Sequence, residues 1–287
     1  MHQVKVLNLV IDNLSMTELL EDLQEGVVFT PNVDHLMKVQ QDPEFAHLYS
    51  QVEYTLCDSK IIHLAAHFLG SPLKEKISGS DLFPAFYNYH RHNPRIKIFL
   101  LGAQPGVAYQ AAANINAKVG RQMVVGSYSP PFGFESDADE IDYICDLIHQ
   151  SGATVLAVGL TPPKQEKLIF RIKQRLPLVK LFFAIGGTIA FEAGSQKRAP
   201  QWISEAGLEW LFRLLSEPRR LWRRYILENP PFLWLLLLQK LNMYVDPHTL
   251  VPMNYASRPI PVARTQTAVA RPQRPQTKAE AKAGAIG

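Results

Sequence analysis

The sequence predicts the α/β class, with a parallel sheet covered on both faces by helices and a basic, all-helical segment on its C-terminal side. Three observations carry this reading. From Ile96 to Ile185, short apolar runs alternate with amphipathic stretches in the order strand, helix, strand, helix, strand, helix, strand, the pattern of a parallel sheet with helical crossovers. After Pro200 only helical pattern remains. The charge changes with it: residues 1–195 carry 16 Lys and Arg against 20 Asp and Glu, a balance of −4, and residues 196–287 carry 14 against 6, a balance of +8. Such an asymmetry implies an anionic partner for the C-terminal third, whether a membrane surface, a diphosphate or a nucleic acid.

Taken in order, Val4 to Ile11 reads as a first strand, and Ser15 with Glu18 forms a capping box that opens a helix. Val27 to Thr30 is a short buried strand, with helices following over Val33–Gln41 and Pro43–Ser50. Glu53 to Cys57 is another strand, ended by Asp58, which can cap the next helix. A helix starts near Ser80. Ile96 to Leu101 is a strand ending in Gly102, and Pro105 suits a first helical position. Strands follow at Met123–Gly126, Ala153–Val158 and Val179–Ile185, with helices opening at Ser136 and Pro163 between them. Residues 256–287, rich in Pro, Ala, Thr and Arg, read as disordered. The segmentation is a core over 1–195, a helical basic appendage over 196–245 and a tail over 246–287.

An apolar content of 47% leaves ample material for a core in a chain of 287 residues. Cys57 and Cys145 form no metal-binding spacing, and a reduced, cytoplasmic setting is the simplest reading. No signal peptide pattern opens the chain. The longest apolar run, Phe232 to Leu238, falls far short of the roughly 20 residues that span a bilayer.

Ligands of parallel sheets sit beyond the carboxyl ends of the strands, so the residues following each strand are the candidates. Asp58 there is either a general base toward a hydroxyl or a helix cap, and Asn32 either a pocket residue or a turn former. Gly159 to Lys167 (GLTPPKQEK) opens a helix, where backbone N–H groups favour phosphate and Gln165 would add an amide; an ordinary Pro-started helix explains it equally. Gly102 to Gly106 lacks the three-glycine dinucleotide spacing. Asp137 and Asp139 superficially match a metal-binding DxD pattern, but they open an acidic helix where carboxylates suit the dipole, so no metal site and no cofactor are assigned. Six arginines and four large aromatics cluster between Gly194 and Arg224. They would grip a diphosphate, flank a membrane-surface helix, or form a solvated face beside a buried Trp stripe, the reading that such clustering favours least.

The blocks TPNVDHL, CDSKII, KISGSDL, FLLGAQPGVA, VGLTPPKQE and KRAPQWISEAGLEWLFRLLSEPRRLWRRY occur in this order. Together they resemble the bacterial N-acetylmannosaminyltransferase family of the WecG/TagA/CpsF type (glycosyltransferase family 26), over roughly Val4 to Tyr225. The resemblance implies a Rossmann-like core and an inverting transferase on the inner face of the plasma membrane. It would move a sugar from a UDP-sugar donor to a polyprenyl-diphosphate-linked sugar acceptor, in teichoic acid, common antigen or capsule and exopolysaccharide assembly. By motif, Asp58 corresponds to the base, and Thr30, Asn32 and Gln165 to pocket residues around donor and acceptor. Arg213, Arg220 and Arg223 correspond to diphosphate-binding residues of a mobile appendage that also contacts membrane. Self-association as a homo-oligomer is implied as well. Three positions depart from the family pattern: Ser59 stands for a common Gly, Lys76 for a common Arg that would touch phosphate, and Ala190 for an acidic residue.

The mechanism this suggests is direct displacement with inversion, with Asp58 taking the acceptor's proton. Helix N-termini, Lys76 and the appendage arginines would stabilise the departing UDP. A seven-residue apolar run followed by Gln239 and Lys240 suits peripheral attachment to a membrane surface. Two rivals stand beside it. A nucleotide-dependent oxidoreductase or hydrolase requires a fingerprint or activated nucleophile that is not found. A non-enzymatic adaptor would bind nucleic acid or a protein partner through Arg258 to Lys282 and be indifferent to Asp58; the transferase reading assigns no nucleic acid.

Overall fold

The computed structural model describes residues 3–248. The expected tail lies outside the described residues from residue 249 onward, as do the basic residues Arg258 to Lys282.

The chain opens with β1 (Gln3–Val6) and β2 (Leu9–Asp12), an antiparallel hairpin in which Val6 pairs with Leu9. The sequence reading of one continuous strand is corrected here. Leu7 adopts a left-handed φ of 55° and is fully buried, so the turn is made by an apolar residue with no Gly to announce it. Next comes α1 (Met16–Asp22), with the reciprocal Ser15–Glu18 capping box in place. Then follow β3 (Gly26–Phe29), α2 (Val33–Gln41), α3 (Pro43–Tyr49), β4 (Tyr54–Thr55), α4 (Lys60–Phe68) and α5 (Gly79–Tyr89). The alternating region contributes β5 (Ile98–Gly102), α6 (Val107–Val119), β6 (Val124–Tyr128), α7 (Ala138–Ser151), β7 (Val155–Gly159), α8 (Lys164–Ile172), β8 (Leu181–Ala184) and α9 (Thr188–Glu192). Strands β3 to β8 form one parallel six-stranded sheet in the order β4-β3-β8-β7-β5-β6, the Rossmann-like core.

Two helix starts differ from the sequence reading. Pro105 lies before α6, whose N-cap is Gly106 at φ 82°. Asp58 does not cap α4; the cap is Ser59, whose Oγ accepts from the N–H groups of Ile61 and Ile62. Asp137, by contrast, is the N-cap of α7, as its position in an acidic helix start suggests.

Successive strand residues point to opposite sheet faces, and the core divides accordingly. Phe29, Leu101, Val158 and Phe182 belong to one buried cluster, and Val28, Leu100, Ala157 and Phe183 to the other. Continuous apolar strands are therefore required, since neither face meets water. Phe183 packs against Phe83 and Phe86 of α5, with ring centroids at 6.2 and 5.0 Å; truncation at such a site costs roughly 3–5 kcal/mol.

At the carboxyl edge β5 and β7 end in glycines because backbones approach closely there. A Cβ on Gly102, at φ 118°, would lie 2.5 Å from the Gly159 carbonyl oxygen, and one on Gly159 would lie 2.8 Å from that of Gly186. A Cβ on Gly79, at the start of α5, would lie 3.3 Å from Thr30 Oγ1.

The C-terminal segment is helical throughout its described elements: α10 (Gln201–Glu205), α11 (Glu209–Ser216), α12 (Pro218–Arg223), a π-helical turn at Arg224–Glu228, and α13 (Pro231–Lys240). Helix α13 buries Phe232 and Leu236 in the core cluster that α2 also joins. Its end is fixed to the hairpin: Gln239 Oε1 accepts from Leu7 N–H at 2.7 Å, and Nε2 donates to the Lys5 carbonyl at 3.1 Å. His248, in the span assigned to the tail, donates from Nε2 to the Val39 carbonyl at 2.5 Å. Among the described residues no helix is long and apolar enough to cross a membrane.

Candidate active site

The exits of β3 and β4 are tied together where Asp58 N–H donates to the Pro31 carbonyl at 3.2 Å. This brings Asn32 and Asp58 to one wall of a cavity of about 280 Å³. The C-terminal helices supply the facing wall, including Glu209, Trp210, Arg213, Arg224 and Phe232. Lys76, from the loop before α5, also lines it.

Because Ser59 does the capping, Asp58 is free for other chemistry. Its residual exposed surface opens into the cavity, and protein surrounds it on the remaining sides. Burial raises its pKa to about 7, and the Glu209 carboxylate adds to the rise; Arg213, Lys76 and His35 oppose it. A carboxylate near 7 is matched to accepting a proton from a hydroxyl at neutral pH.

Asn32 is both the N-cap of α2 and a cavity residue. Its Oδ1 accepts from Asp34 N–H at 3.1 Å and from Arg224 Nη2 at 3.2 Å, and lies 3.0 Å from His35 Nδ1. With the oxygen taken up in this way, the amide N–H groups remain to meet a ligand. Behind it, His35 Nε2 lies 3.3 Å from Glu166 Oε1, and Glu166 is fully buried.

Four cations line the cavity, Lys60 among them, and the other three are matched to carboxylates of the chain. Lys76 Nζ lies 3.2 Å from Asp81, Arg213 Nη2 3.0 Å from Glu209 one turn earlier, and Arg224 Nε 3.4 Å from the buried Asp34. Burial works against the charge of Arg213, but Glu209 and Asp58 outweigh it and hold the guanidinium charged above its ordinary range. Burial likewise works against Asp81, and Arg198, Ser78 and Lys76 outweigh it to keep this carboxyl low. Ser204 links the set, receiving from Lys76 Nζ at 3.5 Å and donating to Glu209 at 3.3 Å.

The structure thus brings together Asn32, Asp58, Lys76 and Arg213. It places four other residues named from the sequence elsewhere. Thr30 is buried beside Gly79. Gln165, 3% exposed, accepts from Gly186 N–H at 3.0 Å and donates to Glu166 at 2.8 Å, so it braces the turn after β8. Lys164, its neighbour, turns away to Glu135. Arg220 and Arg223 pair with Glu217 and Glu228 on the outside, their side chains 60% and 73% exposed. Arg224, at 21%, enters the cavity beside Arg213; it and Trp210 belong to the cluster noted in the sequence but carry no individual role there. Glu209 and Tyr225, also in the lining, were missed.

A half-buried carboxylate near neutral pKa, amide donors, four cations and an apolar wall can together hold an anionic, partly apolar substrate and accept a proton from a hydroxyl on it. Among the described residues no group of three or more His, Cys, Asp or Glu is placed to hold a metal ion.

The sequence of this chain matches the family model described as the glycosyl transferase WecG/TagA/CpsF family over residues 4–246, a span that takes in the sheet, the cavity and all of α10 to α13. The chain therefore belongs to the WecG/TagA/CpsF glycosyltransferase family, whose work is glycosyl transfer in cell-surface polysaccharide synthesis.

Proposed function

We propose that the protein is an inverting transferase that moves N-acetylmannosamine or a related sugar from a UDP donor to a polyprenyl-diphosphate-linked sugar. The observation that carries this reading is Asp58: released from capping duty, raised to about 7, and set in a cavity that offers both cations and an apolar wall.

In the proposed step the acceptor hydroxyl oxygen attacks the anomeric carbon while its proton passes to Asp58. The bond from that carbon to the donor's phosphate oxygen breaks, and UDP leaves with the electron pair. One displacement inverts the configuration. A base so placed contributes about 10²–10⁴-fold. The donor would lie at the carboxyl edge of the sheet, beside Asn32 and Asp58. The acceptor's diphosphate would sit among Lys76, Arg213 and Arg224. Closure of this wall by α10 to α13 excludes water that would otherwise hydrolyse the donor. Exposed Trp202, Trp222, Trp234 and Leu227 support attachment of the same helices to a membrane surface.

The test is UDP release from a panel of UDP-sugars, beginning with UDP-N-acetylmannosamine, with a short-chain polyprenyl-diphosphate-N-acetylglucosamine acceptor and chelator present. Acceptor-dependent release that collapses in Asp58→Ala supports the reading. No release from any donor, with native and variant binding donor and acceptor alike, sinks it and favours a non-enzymatic adaptor.

A further inference from the structure

Helix α4 has two apolar faces. Ile62, Ala65 and Ala66 are buried in the core; Ile61, Leu64 and Phe68 form a second stripe, with Leu64 54% and Phe68 49% exposed. Helix α13 repeats the arrangement, with Phe232 and Leu236 inward and Leu233, Leu237 and Leu241 in an exposed stripe. The two helices share the cavity at one end and approach each other at the other. Ile61 and Leu233 both line the cavity, and seven residues further along each helix the Lys240 ammonium lies 5.4 Å from the Phe68 ring centre. Seven residues span about 10 Å of helix. The stripes therefore run side by side in the same direction, starting at the cavity and ending at the Lys240–Phe68 contact.

The occupant is read from what the two ends offer. Inside the cavity are Lys60, Lys76, Arg213 and Arg224; outside, exposed hydrocarbon runs as far as Lys240. A molecule with an anionic head and a linear apolar chain satisfies both at once. A bilayer surface would cover Trp222 and Trp234 equally well, but it gives no reason for the stripes to begin within the cavity. We propose that the track between α4 and α13 holds the first part of the acceptor's hydrocarbon chain, threading it from the cavity to the protein surface. This rests on the reading that the cavity takes the acceptor's diphosphate.

The experiment measures binding of inorganic diphosphate and of prenyl diphosphates with five, ten and fifteen carbons to the full chain, below their aggregation limits and without detergent or donor sugar. Affinity should rise about tenfold with each five-carbon unit until the track is filled, near ten carbons, and then level off. In Leu64→Ser/Leu237→Ser, two exposed positions that the core does not use, inorganic diphosphate should bind as before and the chain-length gain should disappear. Equal affinity for all four probes in the native protein overturns the proposal. So does a gain that survives in the variant, or one that develops only when vesicles are added. Absence of sugar transfer with the chain-length gain intact would remove the transferase reading and leave the track standing.

Discussion

Glu209 and Arg213 stand one turn apart on α11, carboxylate 3.0 Å from guanidinium, on the cavity wall that also bears on Asp58. They act on Asp58 in opposite senses, Glu209 raising its pKa and Arg213 lowering it. Neutralising the carboxylate alone has a defined result. In Glu209→Gln the Asp58 pKa falls, and the acidic limb of the pH–activity profile moves below its native position near 7. The profile of kcat/KM for acceptor-dependent UDP release checks this; an unmoved limb would mean that Asp58 is not the titrating base.

Asp58→Asn separates catalysis from stability. Activity should drop about 10²–10⁴-fold. The folded-state value of about 7 lies above the ordinary 3.8, so the native state holds this proton more tightly than the unfolded chain does. Ionised Asp58 therefore costs stability increasingly as pH rises from about 4 to 7 and fully above it. The variant should be more stable than the native protein at pH 8, by about 1–3 kcal/mol once water in the cavity is allowed for, and nearly equal at pH 4. Thermal unfolding at the two pH values measures the difference.

Arg224 and Arg223 are adjacent in sequence and opposite in surroundings. Arg224→Ala should raise the acceptor KM about tenfold or more in a soluble assay, because it removes a cation of the cavity together with a donor to Asn32. Arg223→Ala should leave that KM within about twofold and instead weaken salt-sensitive binding to anionic vesicles. The reverse pattern would restore the motif-based assignment.

Gly159→Ala should destabilise the fold by about 1–3 kcal/mol, since the new methyl meets Ile189 Cδ1 at 2.6 Å and the Gly186 carbonyl at 2.8 Å. Gly102→Ala should cost more, adding a left-handed φ to a 2.5 Å approach to backbone. Alanine at Gly120, also left-handed but with nothing within 4 Å, isolates the conformational share. Urea unfolding midpoints rank the three.

The sheet was legible because burial on both faces leaves strands such as Leu181–Ala184 with no polar residue to blur them. Strand order was not, since nothing local in β8 says that it lies between β3 and β7. At the site, the chemistry of Asp58 was readable as one of two roles, and the choice turned on its neighbour: Ser59, noted only as a departure from Gly, supplies the cap. Which arginines face the cavity was not legible, for a geometric reason. Residues 213, 220 and 223 share a motif, but the backbone breaks at Glu217, and Pro218 starts a separate helix. The turn after Arg223 is then π-helical. Each break changes the rotational phase, so spacing along the sequence no longer tells which guanidinium faces inward.

Lys76, Arg213 and Arg224 each rest against a carboxylate of the same chain. With these three matched in this way, an incoming anion meets cations that already have partners. A ligand must offer several negative charges together, in the right places, before exchanging those internal partners becomes favourable. On the proposed reading, a compound with a single phosphate would gain less from these three cations than a ligand that carries several charges.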